Sequence, residues 1–220
     1  MARTRLVLAT RNEGKVAELR RILADEPGLA DVGLIGLDSL PQIGDIAETG
    51  TTFIENALLK ARTVADRTGW PAIADDSGLT VEALGGMPGV FSARWSGRHG
   101  DDDANVDLLL GQLTDVPGRR RGAAFVCAAA AVVPGVGEQV IEGRLAGTLL
   151  RERRGTSGFG YDPIFLPRGE SRTAAELSPT EKDAISHRGR AFRALAPLLR
   201  DLLFGRSLQG AREGSRTPTP

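Results

Sequence analysis

Cysteine is nearly absent: Cys127 is the only one in 220 residues. A single thiol can form no internal disulfide and no thiolate zinc cluster. It lies in an apolar run, where a buried, inert thiol is expected instead of a nucleophile. Histidine is almost as scarce. With only His99 and His187, a multi-histidine metal site is excluded. Excess charge of either sign is missing too, with 28 basic residues against 28 acidic ones. That balance argues against duplex DNA, which favours a basic face. It still allows a small anion in a local basic pocket. No hydrophobic stretch is long enough to span a bilayer, and the N-terminus has no signal-peptide core. The sequence therefore reads as soluble and cytoplasmic, with no nucleic-acid or membrane partner.

The 41% of apolar residues are enough for a sizeable core, in one large domain or two closely packed lobes. Arg5 to Ala9 reads as a buried first strand, and Val16, Leu19 and Leu23 mark one face of a helix reaching about Glu26. Val32 to Leu37 reads as a second strand. Thr52 and Glu55 form a capping box opening a helix through about Arg67. Pro71 to Asp75 is a third strand, so the order β-α-β-α-β predicts an α/β layer structure. Asp101 to Leu113 reads as a helix, its triple-Asp start a cap facing the dipole and not a metal site. Gly122–Val133 and Gln139–Leu149 read as two long strands joined by a turn. Ser178, Pro179 and Glu181 mark a helix start. A final helix begins near Ser186, with Phe192, Leu195, Leu199 and Leu202 at core spacing. Residues 1–205 form one two-lobed domain in this reading, and 206–220 a disordered tail.

The stretch Ala74-Asp75-Asp76-Ser77-Gly78 carries the strongest chemical signal. Two carboxylates and a hydroxyl stand where a buried strand is expected to end, a place suited to holding a hard cation and activating water. These residues are also preferred turn formers, so a plain turn is the alternative. Thr10-Arg11-Asn12-Glu13-Gly14-Lys15 lies between the first strand and its helix, where free N–H groups and Lys15 suit phosphate. It is no Walker A loop, because Val16 follows Gly-Lys. Glu48 could join Asp75 or Asp76 around a metal. Glu55, Asn56 and Lys60 lie on or near one polar helix face, which could simply be solvated. Glycines 158 and 160 flank Phe159, which suits either stacking on a flat base or a bulged core strand. Lys182, His187 and Arg188 gather donors around the last helix start. Arg119 to Arg121 and Arg151 to Arg154 read as solvated loops.

In order along the chain stand T-R-N-E-G-K at Thr10, E-T-G-T-T-F-I-E-N-A at Glu48, A-D-D-S-G-L at Ala74 and L-G-G-M-P-G-V-F-S-A-R-W-S-G at Leu84. They are followed by G-F-G-Y-D-P-I-F at Gly158, T-A-A-E-L at Thr173 and E-K-D-A-I-S-H-R-G at Glu181. Together these resemble the inosine/xanthosine triphosphate pyrophosphatases over about Arg5 to Leu203. Arg11 and Ser157 stand where that family commonly has glycine. The resemblance implies an elongated α/β fold, a mixed sheet with helices in two lobes around a central active-site cleft, and a homodimer. It implies Mg²⁺-dependent hydrolysis of ITP, dITP and XTP to monophosphate and pyrophosphate. By the same resemblance, Thr10, Arg11, Asn12, Glu13, Gly14 and Lys15 would hold phosphates. Glu48 and Asp76 would bind metal, with Asp76 also the catalytic proton acceptor, and Ser77 would touch substrate. Phe159, Gly160, Tyr161, Asp162, Lys182, His187 and Arg188 would form the base pocket. A pyrimidine or modified-nucleotide pyrophosphatase of Maf-like type and a nucleotide-binding module without turnover are the rivals.

Overall fold

The computed structural model describes residues 4–11 and 13–205; the side chains of Glu13, Gly14 and Glu18 are outside that description. One sheet runs through it. Its strands are β1 (Arg5–Leu8), β2 (Gly33–Gly36), β3 (Ala72–Val81), β4 (Gly122–Val133), β5 (Gly137–Leu149) and β6 (Phe165–Pro167). The helices are α1 (Glu13–Asp25), α2 (Phe53–Thr68), α3 (Asp102–Gln112), α4 (Pro179–Ile185) and α5 (His187–Phe204). Spatial order is β2-β1-β3-β4-β5-β6. The first three strands pair in parallel, and every pairing from β3 to β6 is antiparallel.

The apolar run of β4 is continuous because both faces are covered. Cys127, Ala129 and Ala131 pack with α1 and α5, while Ala124, Val126, Ala128 and Ala130 pack toward α2. A period of two assigns alternate residues to the two layers. Small side chains let the helices approach closely: at Gly143 of β5, a Cβ would stand 2.1 Å from the His187 carbonyl. A third cluster, including Leu79, Leu109, Leu149 and Phe165, occupies the far ends of the long strands and packs them against α3. Both predicted capping boxes form, at Thr52/Glu55 and Ser178/Glu181. Asp101 caps α3 through the Ala104 amide.

Two expectations need correction. The third strand does not end at Asp75 but continues to Val81, so the two aspartates stand inside it. Gly78 makes no turn; it is not in the left-handed region. A Cβ there would lie 2.5 Å from the Gly89 carbonyl and from Ser92 Oγ, so this glycine admits the short 3-10 segment Gly89–Arg94 against the strand. Arg121 is no solvated loop residue either. Only 2% exposed, it donates to the carbonyls of Leu113, Leu149 and Leu150, which replace its water. It ties the end of α3 to the end of β5.

Candidate active site

The site follows from where β1 stops. Leu8 is its last residue and pairs with Ile73. Beyond that point β3 is paired on its other edge by β4 as far as Val81. On the β1 side, the next backbone pairing among the described residues is the single bridge from Thr80 to Pro88. Asp75, Asp76 and Ser77 therefore lie along an open strand edge, just past the end of the parallel part of the sheet. In open α/β sheets that is where ligands bind.

Successive strand residues face opposite ways, and the two aspartates divide accordingly. Asp75 faces α1 and α5. Lys15 Nζ lies 3.0 and 2.9 Å from its two oxygens, and Arg188 Nε lies 3.2 Å from Oδ2. Ser77 Oγ, two residues on and on the same face, donates to Oδ2 at 3.1 Å. Burial alone would raise the Asp75 pKa, but Lys15, Arg188 and Lys60 together hold the carboxyl far below the usual range. Asp76 faces α2. Its Oδ2 accepts from Asn56 Nδ2 at 3.1 Å and its Oδ1 from Lys60 Nζ at 3.2 Å. Lys60 also donates to Glu48 Oε1 at 2.7 Å, and Arg94 stands 3.8 Å from Oε2 of the same glutamate. Burial first, then Glu48, push the Asp76 pKa upward against Lys60 and Asn56. Glu48 thus belongs with Asp76 and not with Asp75.

Asn56 is fully buried and the Lys60 side chain is only 12% exposed, so this helix face is not solvated. Glu55 is the exposed member, spent on the cap. The capping box fixes the phase of α2, and Asn56 and Lys60 stand one turn apart beside the buried Phe53, Ala57 and Ala61. That phase was the available signal for placing both residues in the site.

Among the phosphate-loop residues, Lys15 reaches Asp75, as above. Arg11 turns aside toward Asp38 (3.7 Å) and Asp45 (3.6 Å). The Thr10 carbonyl accepts the Leu37 amide at 2.9 Å. Glu13 and Gly14 lie in the first turn of α1, and Asn12 lies outside the described residues.

The base-pocket candidates divide as well. Phe159 is 65% exposed in a loop, which overturns the bulged-core-strand alternative and leaves a free aromatic face. Lys182 Nζ stands 4.8 Å from its ring centroid and is paired with buried Asp162, whose Oδ2 also accepts the Phe159 amide at 2.9 Å. Tyr161 is buried and its hydroxyl donates to the Ser92 carbonyl, so it braces the loop. Arg188 lies with Asp75 and Lys15. His187 stacks on Phe125, 5.1 Å between centroids. Phe125 carries no local sign of this role, since it sits in the apolar run of β4.

Burial, helped by Arg188, Lys182 and Lys15 and opposed by Asp75, pushes the His187 pKa down to about 3. An unfolded histidine takes its proton near about 6.5. Between these values the unfolded chain binds more protons, so His187 removes stability as pH falls. His187→Gln should therefore melt below wild type at pH 7.5, through loss of the Phe125 stack. The gap should narrow by about 4–8 °C at pH 5, because about 1.5 pH units below the unfolded value corresponds to about 2 kcal/mol. A gap independent of pH would show that His187 is protonated normally.

Cys127 is buried with its thiol pushed up to about 12, as an inert cysteine should be. No helix among the described residues is long and apolar enough to cross a membrane.

The Ham1 family model matches residues 6–198. The chain belongs to the Ham1 family. A relative from Streptomyces avermitilis called dITP/XTP pyrophosphatase is 62% identical, over 91% of this chain and 99% of the relative. One of the same name from Mycobacterium tuberculosis is 58% identical, over 92% and 98%. Among solved structures, a nucleoside-triphosphatase / dITP/XTP pyrophosphatase from Mycobacterium abscessus is 56% identical. It superposes with a TM-score of 0.75, over 89% of this chain and 99% of that one. A Ham1 protein from Staphylococcus aureus reaches 0.82 at 38% identity, over 89% and 98%. Both belong to the mixed α/β class seen here, as the ordered motifs from Thr10 to Arg188 imply for a Ham1 chain.

Proposed function

We propose that this chain is a nucleoside-triphosphate pyrophosphohydrolase, hydrolysing dITP, ITP and XTP to the monophosphate and pyrophosphate. The division of Asp75 and Asp76 across an open strand edge carries the reading. One carboxylate organises cations for a polyanion, and the other stands with a second carboxylate, poised for acid–base work. Relatives at 56–62% identity named dITP/XTP pyrophosphatase support it.

The donor set around Asp76 fits Mg²⁺. Glu48 and Asp76 supply two carboxylates that share Lys60. No group of three or more His, Cys, Asp or Glu side chains fit for a metal forms among the described residues. Two carboxylates completed by substrate phosphates is the usual way Mg²⁺ is held. When bound there, the ion would offset phosphate charge and make a coordinated water more acidic. Asp76 accepts the proton of the water attacking the α-phosphorus. Its raised pKa makes it a better base than an ordinary aspartate. Lys15 and Arg188 offset charge on the phosphates. Asn56 and Lys60 hold the Asp76 carboxylate in place. The exposed face of Phe159 offers the purine a surface to stack on, and Lys182 offers a donor to its edge.

The chain acts in this reading as a homodimer in the cytoplasm, where its substrates are. Met87, just before the Gly89–Arg94 segment, and Phe91, within it, are exposed and give an apolar patch suited to self-association. Residues 1–205 form the catalytic domain, and 206–220 take no part in the chemistry.

Pyrophosphate release from dITP, ITP, XTP and the common triphosphates, with and without Mg²⁺, tests the assignment. Release from dITP or XTP should exceed that from ATP by roughly 10⁴-fold, the order expected when unmatched buried donors reject a substrate. It should vanish without Mg²⁺. Preference for a pyrimidine triphosphate, or binding without release, would instead favour one of the rivals.

A further inference from the structure

Phe159 is an exposed ring on an irregular loop, flanked by Gly158 and Gly160 with φ of +81° and +60°. Such a loop holds no fixed plane unless its backbone is tied down. Two successive amides are. Asp162 takes the Phe159 N–H, and the Gly160 N–H donates to Asp102 Oδ2 at 2.7 Å. Asp102 is the first residue of α3, but Asp101 already caps that helix. The Asp102 carboxylate is instead turned onto the loop.

The loop's first residues are fastened along the same helix, while the Arg154 and Ser157 amides donate to the Pro163 and Ala175 carbonyls. Arg151 donates to the carbonyls of Thr114 and Val116 beyond the C-terminal end of α3. Arg153 pairs with Asp107 at 2.8 Å and donates to the Asp103 carbonyl at 3.1 Å. The chain from 151 to 160 thus runs antiparallel along α3, and Asp102 is the fastening nearest the ring.

We propose that Asp102 is a positioning residue for nucleobase recognition: by accepting the Gly160 amide it fixes the plane of Phe159. The proposal rests on Phe159 being the surface on which the purine stacks. A charge-assisted hydrogen bond to one of two flanking amides is strong enough for its loss to be felt in base binding and in no other step.

The experiment compares wild type, Asp102→Ala, Asp102→Asn and, as a control on the same rail, Asp107→Ala. It measures kcat and KM for ITP, the Kd of inosine monophosphate, inhibition by inorganic tripolyphosphate, and Tm. Asp102→Ala should raise KM and the Kd of the monophosphate about ten-fold. Its kcat should stay within about two-fold, and tripolyphosphate inhibition should not change, since phosphates do not touch this loop. Asp102→Asn keeps an acceptor and should recover most of the loss. Asp107→Ala breaks an exposed pair and should resemble wild type. Equal monophosphate affinity in wild type and Asp102→Ala overturns the role of Asp102 while leaving the base site intact. So does a loss of kcat, phosphate affinity and Tm together, or the same loss in Asp107→Ala, since either means a scaffold effect. Wild type that binds no monophosphate overturns the base reading itself, and the proposal with it.

Discussion

Asp76→Asn should lower kcat for dITP by about 10³-fold, the usual contribution of a positioned general base, while the protein stays folded. The amide cannot take the water proton and is a poorer metal ligand. Two effects on stability oppose each other. Asn supplies one acceptor where Asp76 supplied two, so either Asn56 Nδ2 or Lys60 Nζ loses its partner here. Against that, burial and Glu48 already disfavour the charge on Asp76, and the substitution removes that conflict. The melting temperature should consequently move by only a few degrees. Near-normal kcat in a folded variant would take Asp76 out of the chemistry. A collapse of both kcat and Tm would make it a structural residue.

The contrast between the fold and the site shows what a sequence carries locally. Both capping boxes, the long β4–β5 hairpin and the apolar stripe of α5 were legible because each is decided within one or two turns of chain. The end of β3 was not. Asp-Asp-Ser-Gly reads as a turn from its own residues, and it stays a strand because of partners far away in sequence. Ten consecutive residues of β4 pair with β3. Ser92 Oγ takes the Leu79 amide. Lys15, Lys60 and Arg188 hold the two carboxylates. Arg121 was misjudged for a similar reason: its three carbonyl partners belong to two element ends that meet only in the folded molecule. The motif residues of the site were visible as types and order. Their division between the two faces of one strand was not, although the period of two contains it once β3 is known to continue.

Asp75→Asn gives the other large effect, and here it falls on stability. The Asp75 carboxylate is almost fully buried, and Lys15 and Arg188 meet on it. Removing one partner of a buried ion cluster leaves its cations poorly compensated. Because Lys15 keeps some contact with solvent, a loss of about 2–4 kcal/mol is expected, toward the low end for such clusters. That corresponds to a fall in Tm of roughly 10 °C for a chain of this size. The pH dependence follows from the sign of the shift. A carboxyl whose pKa is depressed by folding stabilises above its unfolded pKa, near about 3.9, and this stabilisation is lost as pH falls below it. The deficit of the variant should therefore be full at pH 7 and shrink below about pH 4. The same charge argument predicts a rescue. Without Asp75 both Lys15 and Arg188 lose a charge partner, and a bound anion is the natural replacement. Millimolar pyrophosphate should therefore raise the Tm of Asp75→Asn more than that of wild type, since a ligand stabilises in proportion to its preference for the folded state. Equal shifts in both proteins would mean that pyrophosphate does not reach these cations, and the phosphate-binding role of Lys15 and Arg188 would have to be moved elsewhere.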